Sequence, residues 1–149
     1  MLLVLNFHFK ESNMSEQERR EQLREHQLKA TPMRTEILKI FQQDEHAVSQ
    51  SEIFQKLSDP DRVTVYRTLQ SFMEKGLIHE ALSDQNETYY ALCNSCKPGV
   101  HRHHHAHFKC TNCKEVSCIE VESELRLEDP GYQVDKVNIE ITGLCQRCS

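Results

Sequence analysis

Residues 61–76 read DRVTVYRTLQSFMEKG, and this stretch, together with residues 77–92, decides how the N-terminal half folds. Asp61 is suited to cap a helix that runs from about Arg62 to Lys75 and ends where a glycine follows. The apolar residues of this helix recur at i, i+4 and i+7, and they are Val65, Leu69 and Phe72. This spacing predicts a helix that packs one face on a core.

The opposite face of the same helix is polar. Short hydroxyl groups and cations follow one another at helical spacing, at Thr64, Arg67, Thr68, Ser71 and Lys75. Such side chains suit the base edges and phosphates of a DNA major groove. Taken alone, however, the stripe is more typical of an ordinary solvated helix face.

The residues after this helix favour the DNA interpretation. Residues 77–82 and 88–92 are strand-like, and the polar turn 83–87 joins them, which predicts a β-hairpin. Upstream, residues 15–26 are charged and favour a helix. A second helix can begin at Thr31-Pro32 and end near residue 43. Ser49 or Ser51 can cap a third helix. Helices followed by a small hairpin predict a winged helix.

Length and composition allow two small domains in 149 residues, each with a limited core that a bound metal or a dimer interface would supplement.

The net charge of −5 argues against a general polyanion binder, because affinity for polyanions follows the number of phosphates that the protein neutralises. An acidic protein without a nucleic-acid partner therefore stays an alternative. Residues 1–9 are apolar but too short to span a bilayer, and we expect residues 1–14 to be a disordered tail or sequence upstream of a true start at Met14.

All seven cysteines lie in the C-terminal part of the chain, at positions 93, 96, 110, 113, 118, 145 and 148. An odd number, CxxC pairs and the lack of a secretory signal indicate reduced thiols in a cytoplasmic protein. The CxxC pairs at 110/113 and 145/148 predict one closed four-sulfur zinc site per subunit, held by Cys110, Cys113, Cys145 and Cys148. A thioredoxin-like redox site, the alternative, needs a single CxxC at a helix start.

The segment between the two CxxC pairs predicts folded structure. Strands are expected over residues 116–121 and 137–142, with a short helix near 122–127. The second strand alternates cleanly, so one face should pack on a helix or on a partner. The predicted fold class is α+β: a winged-helix DNA-binding domain over 15–92, a hinge and insertion over 93–103, and a dimerisation and metal-binding domain over 104–149.

Metal ligands remain beyond those of the four-sulfur site, and they exceed what one further ion needs: His79, Cys93, Cys96, His101, His103, His104, His105, His107 and Cys118. In a strand that enters at His105, alternation puts His105 and His107 on one side. His79 opens the hairpin and Cys93 closes it, near the domain boundary. A site that used ligands from both sides would hold the domains in one orientation. The alternative is a solvated loop that binds metal loosely; a tag is disfavoured because Arg102 and Ala106 interrupt the run.

From about residue 28 to residue 148 the chain resembles the ferric uptake regulator family. The order and spacing match in the segments Thr31-Pro32-Met33-Arg34, Thr64-Val65-Tyr66-Arg67-Thr68-Leu69, Gly76-Leu77-Ile78 and 104–113. The resemblance implies a dimeric, metal-dependent repressor with a structural zinc, in which Tyr66 and Arg67 contact the major groove and Lys29 the minor groove. The predicted residues for DNA contact are Lys29, Arg34, Thr64, Tyr66, Arg67 and Thr68.

The regulatory site looks more like that of the zinc uptake regulators in the family. Iron sensors place a histidine where this chain has Ala47, next to His46, and a carboxylate near Ala91. The resemblance instead implies a regulatory ion at His79, Cys93, His105 and His107, with Cys118 as a substitute ligand and His103 and Cys96 as further candidates. Thiolate with imidazole suits zinc better than ferrous iron. No third ion is predicted, because Ala106 and Val137 stand where the family has ligands.

We therefore predict a zinc-responsive repressor of metal homeostasis genes that binds double-stranded DNA as a homodimer and has no membrane partner. An iron- or peroxide-responsive regulator, with iron(II) or manganese(II) at the same site, is the alternative. A zinc hydrolase or deaminase is disfavoured, since neither HExxH nor an H-x-E paired with P-C-x-x-C occurs. A metal buffer would leave the winged helix without a purpose.

Overall fold

The structure, a computed structural model, describes residues 14–93, 105–121, 131–133 and 137–149. Four helices and a three-stranded sheet come first, and a second three-stranded sheet follows. In chain order the elements are α1 Glu16–Glu25, α2 Pro32–Gln43, β1 Val48–Ser49, α3 Gln50–Lys56, α4 Arg62–Glu74, β2 Ile78–Ser83, β3 Thr88–Leu92, β4 His105–Cys110, β5 Val116–Glu120 and β6 Glu140–Gly143. The α+β prediction is confirmed. No helix among these residues is long and apolar enough to cross a membrane.

Each helix begins at a side chain that caps it. The side chains of Ser15, Thr31, Ser49 and Asp61 accept hydrogen bonds from backbone N–H groups of their first turns. These bonds satisfy donors that a helix start otherwise leaves unpaired. The helix starts predicted at Thr31 and Asp61 are thus correct, and Ser49 is the one of two candidates that caps α3. Helix α4 ends at Glu74, two residues before Gly76, whose positive φ of 69° suits glycine.

The first sheet has the antiparallel order β1-β3-β2. β2 and β3 form the predicted hairpin, in which Asp84 accepts hydrogen bonds from the backbone N–H groups of Asn86 at 2.9 Å and Glu87 at 3.0 Å. The two residues of β1 are too few for a periodic pattern, so the sequence did not indicate this strand. A β-bulge lies between Glu80 and Leu82.

The main core fills the space between the four helices and the first sheet. Its most buried side chains are Leu23, Ile37, Leu38, Phe41, Val48, Ile53, Val65, Leu69, Phe72, Leu77 and Ile78. The predicted core residues of α4, Val65, Leu69 and Phe72, all lie in this cluster, and Phe54 of α3 is partly buried against it. The first half of the chain therefore has a core of its own, as an independent domain requires.

The second sheet has the order β5-β4-β6, with β4 antiparallel to β5 and parallel to β6. The strand expected over residues 137–142 is shorter and shifted, since it covers Glu140–Gly143. On its apolar side Val137 is 46% and Ile141 42% accessible, and Ile139 between them is partly buried. Alternation shows that one face suits burial, but it does not show whether the same chain supplies the cover.

The two sheets contact each other through a small apolar cluster. Its buried members are Ala47, Ala81, Leu82, Ala91 and Val116. The backbone N–H of Ala47 donates to the carbonyl oxygen of Val116 at 2.8 Å, so the first half is hydrogen-bonded to the second. The expected tail, the insertion with Cys96, His101, His103 and His104, and the helix near 122–127 lie outside the described residues.

Candidate metal centres and DNA-reading helix

Four predicted metal ligands meet between the two sheets: the ligand atoms of His79, His105, His107 and Cys118 all lie within 4.8 Å of one another. His105 and His107 share one side of β4, as alternation predicts. Cys118 of β5 lies directly opposite His107 in the antiparallel register, and opposite residues share a face of a sheet. His79 is contributed by β2 of the other sheet.

The spacing of these atoms fits a tetrahedral ion. The Nε2 atom of His79 lies 3.2 Å from Nε2 of His105 and 3.2 Å from Nε2 of His107, and those two lie 3.1 Å apart. Cys118 Sγ lies 3.5 Å from Nε2 of His79. Zinc–nitrogen bonds of about 2.0–2.1 Å would separate tetrahedral nitrogen ligands by about 3.4 Å, close to these values.

The protonation state of the cluster also favours a metal. Burial lowers the pKa of His105, and the charge of nearby His107 lowers that pKa further. A lowered pKa keeps the His105 ring neutral at pH values where an exposed imidazole begins to take up a proton. A neutral ring has a free lone pair on one nitrogen, as metal binding requires.

Cys93 lies on the other side of the His79 ring. Its Sγ is 3.4 Å from Nδ1 of His79, whereas the other cluster ligands surround Nε2 of that ring. Cys93 is accordingly not part of the group of four atoms within 4.8 Å of one another. Of the five expected ligands, the structure thus brings four together and places Cys93 at the opposite nitrogen. His103 and Cys96 lie outside the described residues.

Asn138 is a site residue that the sequence reasoning missed. Its Oδ1 lies 2.9 Å from Nδ1 of His107, so the His107 Nδ1–H donates to the amide oxygen and Nε2 is left as the free lone pair. Such partners fix the tautomer and orientation of a metal-binding histidine. Only the polar position in an alternating segment could have indicated Asn138, and that pattern does not identify its partner.

A second group of metal ligands consists of the four predicted sulfurs of Cys110, Cys113, Cys145 and Cys148, which lie within 4.8 Å of one another. Cys113 Sγ and Cys145 Sγ are 3.8 Å apart, too far for a disulfide bond of about 2.05 Å. Four zinc–sulfur bonds of about 2.3 Å would place tetrahedral sulfurs about 3.8 Å apart. The donor set therefore fits a structural zinc.

Backbone hydrogen bonds lower the pKa of one of these sulfurs and close the turn that follows it. The Cys145 N–H donates to Cys110 Sγ at 3.5 Å, and this hydrogen bond is the main cause that lowers the pKa of Cys110 to about 6. Lys114 has a positive φ of 66°, and its N–H donates to the Cys110 carbonyl oxygen at 3.0 Å, which closes the turn. The hydrogen bond from Cys145 thus favours the thiolate of Cys110 at neutral pH.

Glu115 connects this four-sulfur group to the first half of the chain. One of its oxygens lies 3.0 Å from Nε2 of His46, and the other accepts from Arg147, which lies between Cys145 and Cys148. His46 Nδ1 also lies 3.0 Å from Ser117 Oγ. His46 therefore contacts the second sheet outside the cluster, and the neighbouring Ala47 is buried.

Lys109 of β4 makes a further contact between the halves. Its Nζ donates to Asp84 of the hairpin turn and lies 5.2 Å from the centre of the Tyr89 ring. The Lys109 hydrogen bond is the main cause that lowers the pKa of Asp84 to about 2. This ion pair is partly exposed to solvent, and such pairs contribute little to holding two domains together.

Helix α4 carries four of the six predicted DNA contacts, Thr64, Tyr66, Arg67 and Thr68, and the structure buries one of them. Thr68 is buried against the core instead of exposed, because its position falls at the edge of the buried face rather than on the solvent face. Thr64 is exposed, but its hydroxyl donates to Asp61 Oδ2 at 2.5 Å as part of the helix cap. Tyr66 and Arg67 are both exposed.

The aromatic residue Phe54 of α3 orients the start of α4. The Tyr66 ring packs edge-on against Phe54 with the ring centres 5.7 Å apart, and the Arg62 guanidinium lies 5.2 Å from the Phe54 ring centre. Before α2, Lys29 is exposed, and its carbonyl oxygen accepts a hydrogen bond from Arg34 Nη1 at 3.2 Å. Arg34 therefore braces the segment that carries Lys29.

Comparisons with known proteins agree with this architecture. The sequence profile of the ferric uptake regulator family matches residues 25–142. The ferric uptake regulation protein of Synechococcus elongatus is 28% identical over 138 residues, which cover 85% of this chain and 90% of that protein. A solved zinc uptake regulator complexed with zinc and DNA is 26% identical with a TM-score of 0.66, covering 90% of this chain and 95% of that one. The Vibrio cholerae ferric uptake regulator, 24% identical with a TM-score of 0.57 over 85% of this chain and 98% of that one, shares the fold.

A winged-helix half joined to a half with clustered metal ligands is the architecture of a metal-responsive regulator. The chain belongs to the ferric uptake regulator family, because the family profile matches most of its length. The resemblance seen in the sequence is thereby confirmed.

Proposed function

We propose that this protein is a zinc-responsive transcriptional repressor that binds operator DNA as a homodimer. One observation carries the proposal: His79 of the winged-helix half meets His105, His107 and Cys118 of the other half at a common centre. An ion bound there would supply bonds between the two halves. Occupancy of the site would then decide how the DNA-reading helix is oriented.

The donor set is the reason for choosing zinc. Three imidazole nitrogens and one thiolate make up the cluster among the described residues, without a carboxylate. Soft and borderline ligands of this kind suit zinc, whereas oxygen-rich sites suit manganese and iron(II) better. The relative in the zinc and DNA complex supports the same choice, while the Synechococcus relative is named for iron.

The four-sulfur group has a different role in the proposal. Four sulfurs complete a tetrahedron and leave no open position, which is typical of structural zinc. Cys110 ends β4, and Cys145 follows β6 closely, so a shared ion would clamp neighbouring strands. We assign a permanent zinc to this group and the exchangeable ion to the histidine cluster.

The coupling between metal and DNA is a shift of population. Without an ion, the halves are joined by a small apolar cluster, by the Ala47 hydrogen bond and by partly exposed ion pairs, so several orientations are accessible. His79, His105 and His107 would favour the closed orientation once an ion is shared. The shift can be no larger than the preference of the ion for that orientation.

The test is metal-dependent DNA binding by the full chain. We expect zinc to promote binding to a duplex selected by the protein at lower free concentrations than iron(II) or manganese(II). Arg67→Ala should weaken this binding about 5-fold to 150-fold, as expected for loss of one good base contact, without changing zinc content. Lys39→Ala, which removes the same charge from the exposed side of α2, should have little effect. Tighter response to iron(II) than to zinc would contradict the zinc assignment.

Asn138 offers a test of the regulatory cluster that leaves its ligands intact. Asn138→Ala removes the acceptor that orients His107, and we expect the affinity for the exchangeable zinc to fall about tenfold or more. Competition with a chromophoric chelator measures this affinity. Asn138→Asp, which retains the acceptor, should preserve it. Equal zinc affinity in wild type and Asn138→Ala would show that the contact does not orient the ligand.

A further inference from the structure

Val63 is an apolar side chain that the fold leaves outside its core. It is the second residue of α4, and 54% of it is accessible. A β-branched residue is a poorer helix former than alanine, and its exposed methyl groups gain nothing from burial in the folded chain. The stability of this domain therefore does not explain a valine at this position.

The helix geometry points Val63 away from the domain. Residues advance about 100° each around an α-helix, so Val63 lies about 180° around the axis from the fully buried Phe72. Arg67 lies about 40° from Val63 on the same scale, whereas Thr68 lies about 140° away, next to the buried face. Val63 thus lies on the side of α4 farthest from the core, which we call the crest of the helix. The polar stripe predicted from the sequence lies beside this crest.

The neighbours of Val63 are already held in place. Arg62 lies over the ring of Phe54, Tyr66 packs edge-on against the same ring, and the Thr64 hydroxyl is bonded to Asp61. These contacts hold the side chains of Arg62 and Tyr66 against Phe54 and the Thr64 hydroxyl against Asp61. The surface around the crest carries the positive charges of Arg62 and Arg67, which are complementary to a phosphate backbone.

We propose that Val63 contacts the C5-methyl group of a thymine in the major groove and so selects thymine at one position of each operator half-site. The inference rests on the proposed DNA-binding function. N-terminal residues of a recognition helix contact base edges, and the thymine methyl is the apolar group that those edges present in the major groove. A valine at the crest matches that methyl and no hydrogen-bonding group of the other bases.

The experiment uses the zinc-loaded full chain and a duplex that it selects from a random pool. Each thymine of one half-site is replaced in turn by deoxyuridine, which lacks only the methyl group. For wild type, we expect the affinity to fall about fourfold at one thymine, the value for one buried methyl group. In Val63→Ala, replacing that thymine by deoxyuridine should leave the affinity unchanged. In Val63→Ile, the same replacement should lower the affinity as it does for wild type.

Two controls separate the possible outcomes. Gln70→Ala changes an exposed residue on the same side of α4 and should leave the deoxyuridine effect unchanged. Helical content by circular dichroism should be retained in Val63→Ala, since alanine favours the helix. The same deoxyuridine profile for wild type and Val63→Ala would overturn the role of Val63 while leaving the proposed function intact. Failure to select any zinc-dependent duplex would overturn both.

Discussion

Replacing Cys110 with serine is expected to unfold the second half of the protein and to abolish DNA binding. Cys110 is the fully buried member of the four-sulfur group, and it is the last residue of β4, paired with Gly143 of β6. Structural zinc contributes about 10–16 kcal/mol to the folding of small zinc domains. That range is comparable to the whole stability of a typical domain, about 5–15 kcal/mol.

The loss should also reach the winged-helix half. Glu115, which contacts His46, follows the first sulfur pair by two residues, and Arg147 lies within the second pair. Without the clamp, both partners of this bridge lose their positions. The first half should remain folded, because its core does not include residues of the second sheet.

Elemental analysis and gel filtration of Cys110→Ser measure these effects. We expect one zinc fewer per chain and an expanded or aggregated species. Cys118→Ser is the matched control, since it removes a sulfur from the other cluster and should retain the permanent zinc. A Cys110→Ser protein with unchanged zinc content and oligomeric state would contradict the structural role of the four sulfurs.

Replacing His79 with alanine is expected to remove the zinc response and leave the fold in place. His79 is the cluster ligand that the winged-helix half contributes, so an ion held by the three remaining ligands would no longer join the halves. Converting an equilibrium from 1:99 to 99:1 requires a preference of about 5.5 kcal/mol. Loss of the joining ligand should therefore lower zinc-dependent operator affinity about 100-fold or more.

Operator binding as a function of free zinc measures this loss, with zinc content determined on the same samples. His79→Ala should retain the zinc of the four-sulfur group. Its binding to the duplex in zinc should match that of wild type after chelation. A zinc response in His79→Ala equal to that of wild type would refute the proposal that the ion acts by joining the two halves.

The same measurement distinguishes the two sulfurs near His79. Cys118 Sγ lies on the Nε2 side of that ring with the other ligands, whereas Cys93 Sγ lies at Nδ1. We expect Cys118→Ala to reduce the zinc response more than Cys93→Ala. The reverse order would support Cys93 as the fourth ligand, as the family resemblance implies.

Much of the structure of this protein could be predicted from its sequence because it depends on local interactions. The capping residues of α2, α3 and α4 and the hairpin were predictable because short-range hydrogen bonds and turn residues determine them. Likewise, His105 and His107 had to share a side of one strand, and the CxxC pairs had to present two sulfurs each. All of these features depend on residues a few positions apart.

The buried face of each element and the contacts between distant side chains were harder to predict. The polar stripe of α4 included Thr68, which the core covers, because the position of the buried face depends on how the helix is rotated against α2 and α3. The exposed face of β6 shows the same limit, since a strand pattern does not identify what covers it. Asn138 was missed because a single amide in the sequence does not indicate which side chain it will contact.

Sequence alone determined which elements form and which side chains could bind a metal, since propensity, capping and spacing act within a few residues. Only the tertiary structure decided that His79 of one sheet meets Cys118 of the other, that Cys93 lies at the opposite ring nitrogen, and that Val63 stands at the crest of α4. The physical reason is that these relations depend on the packing of two sheets and four helices, which brings together residues that are distant along the chain.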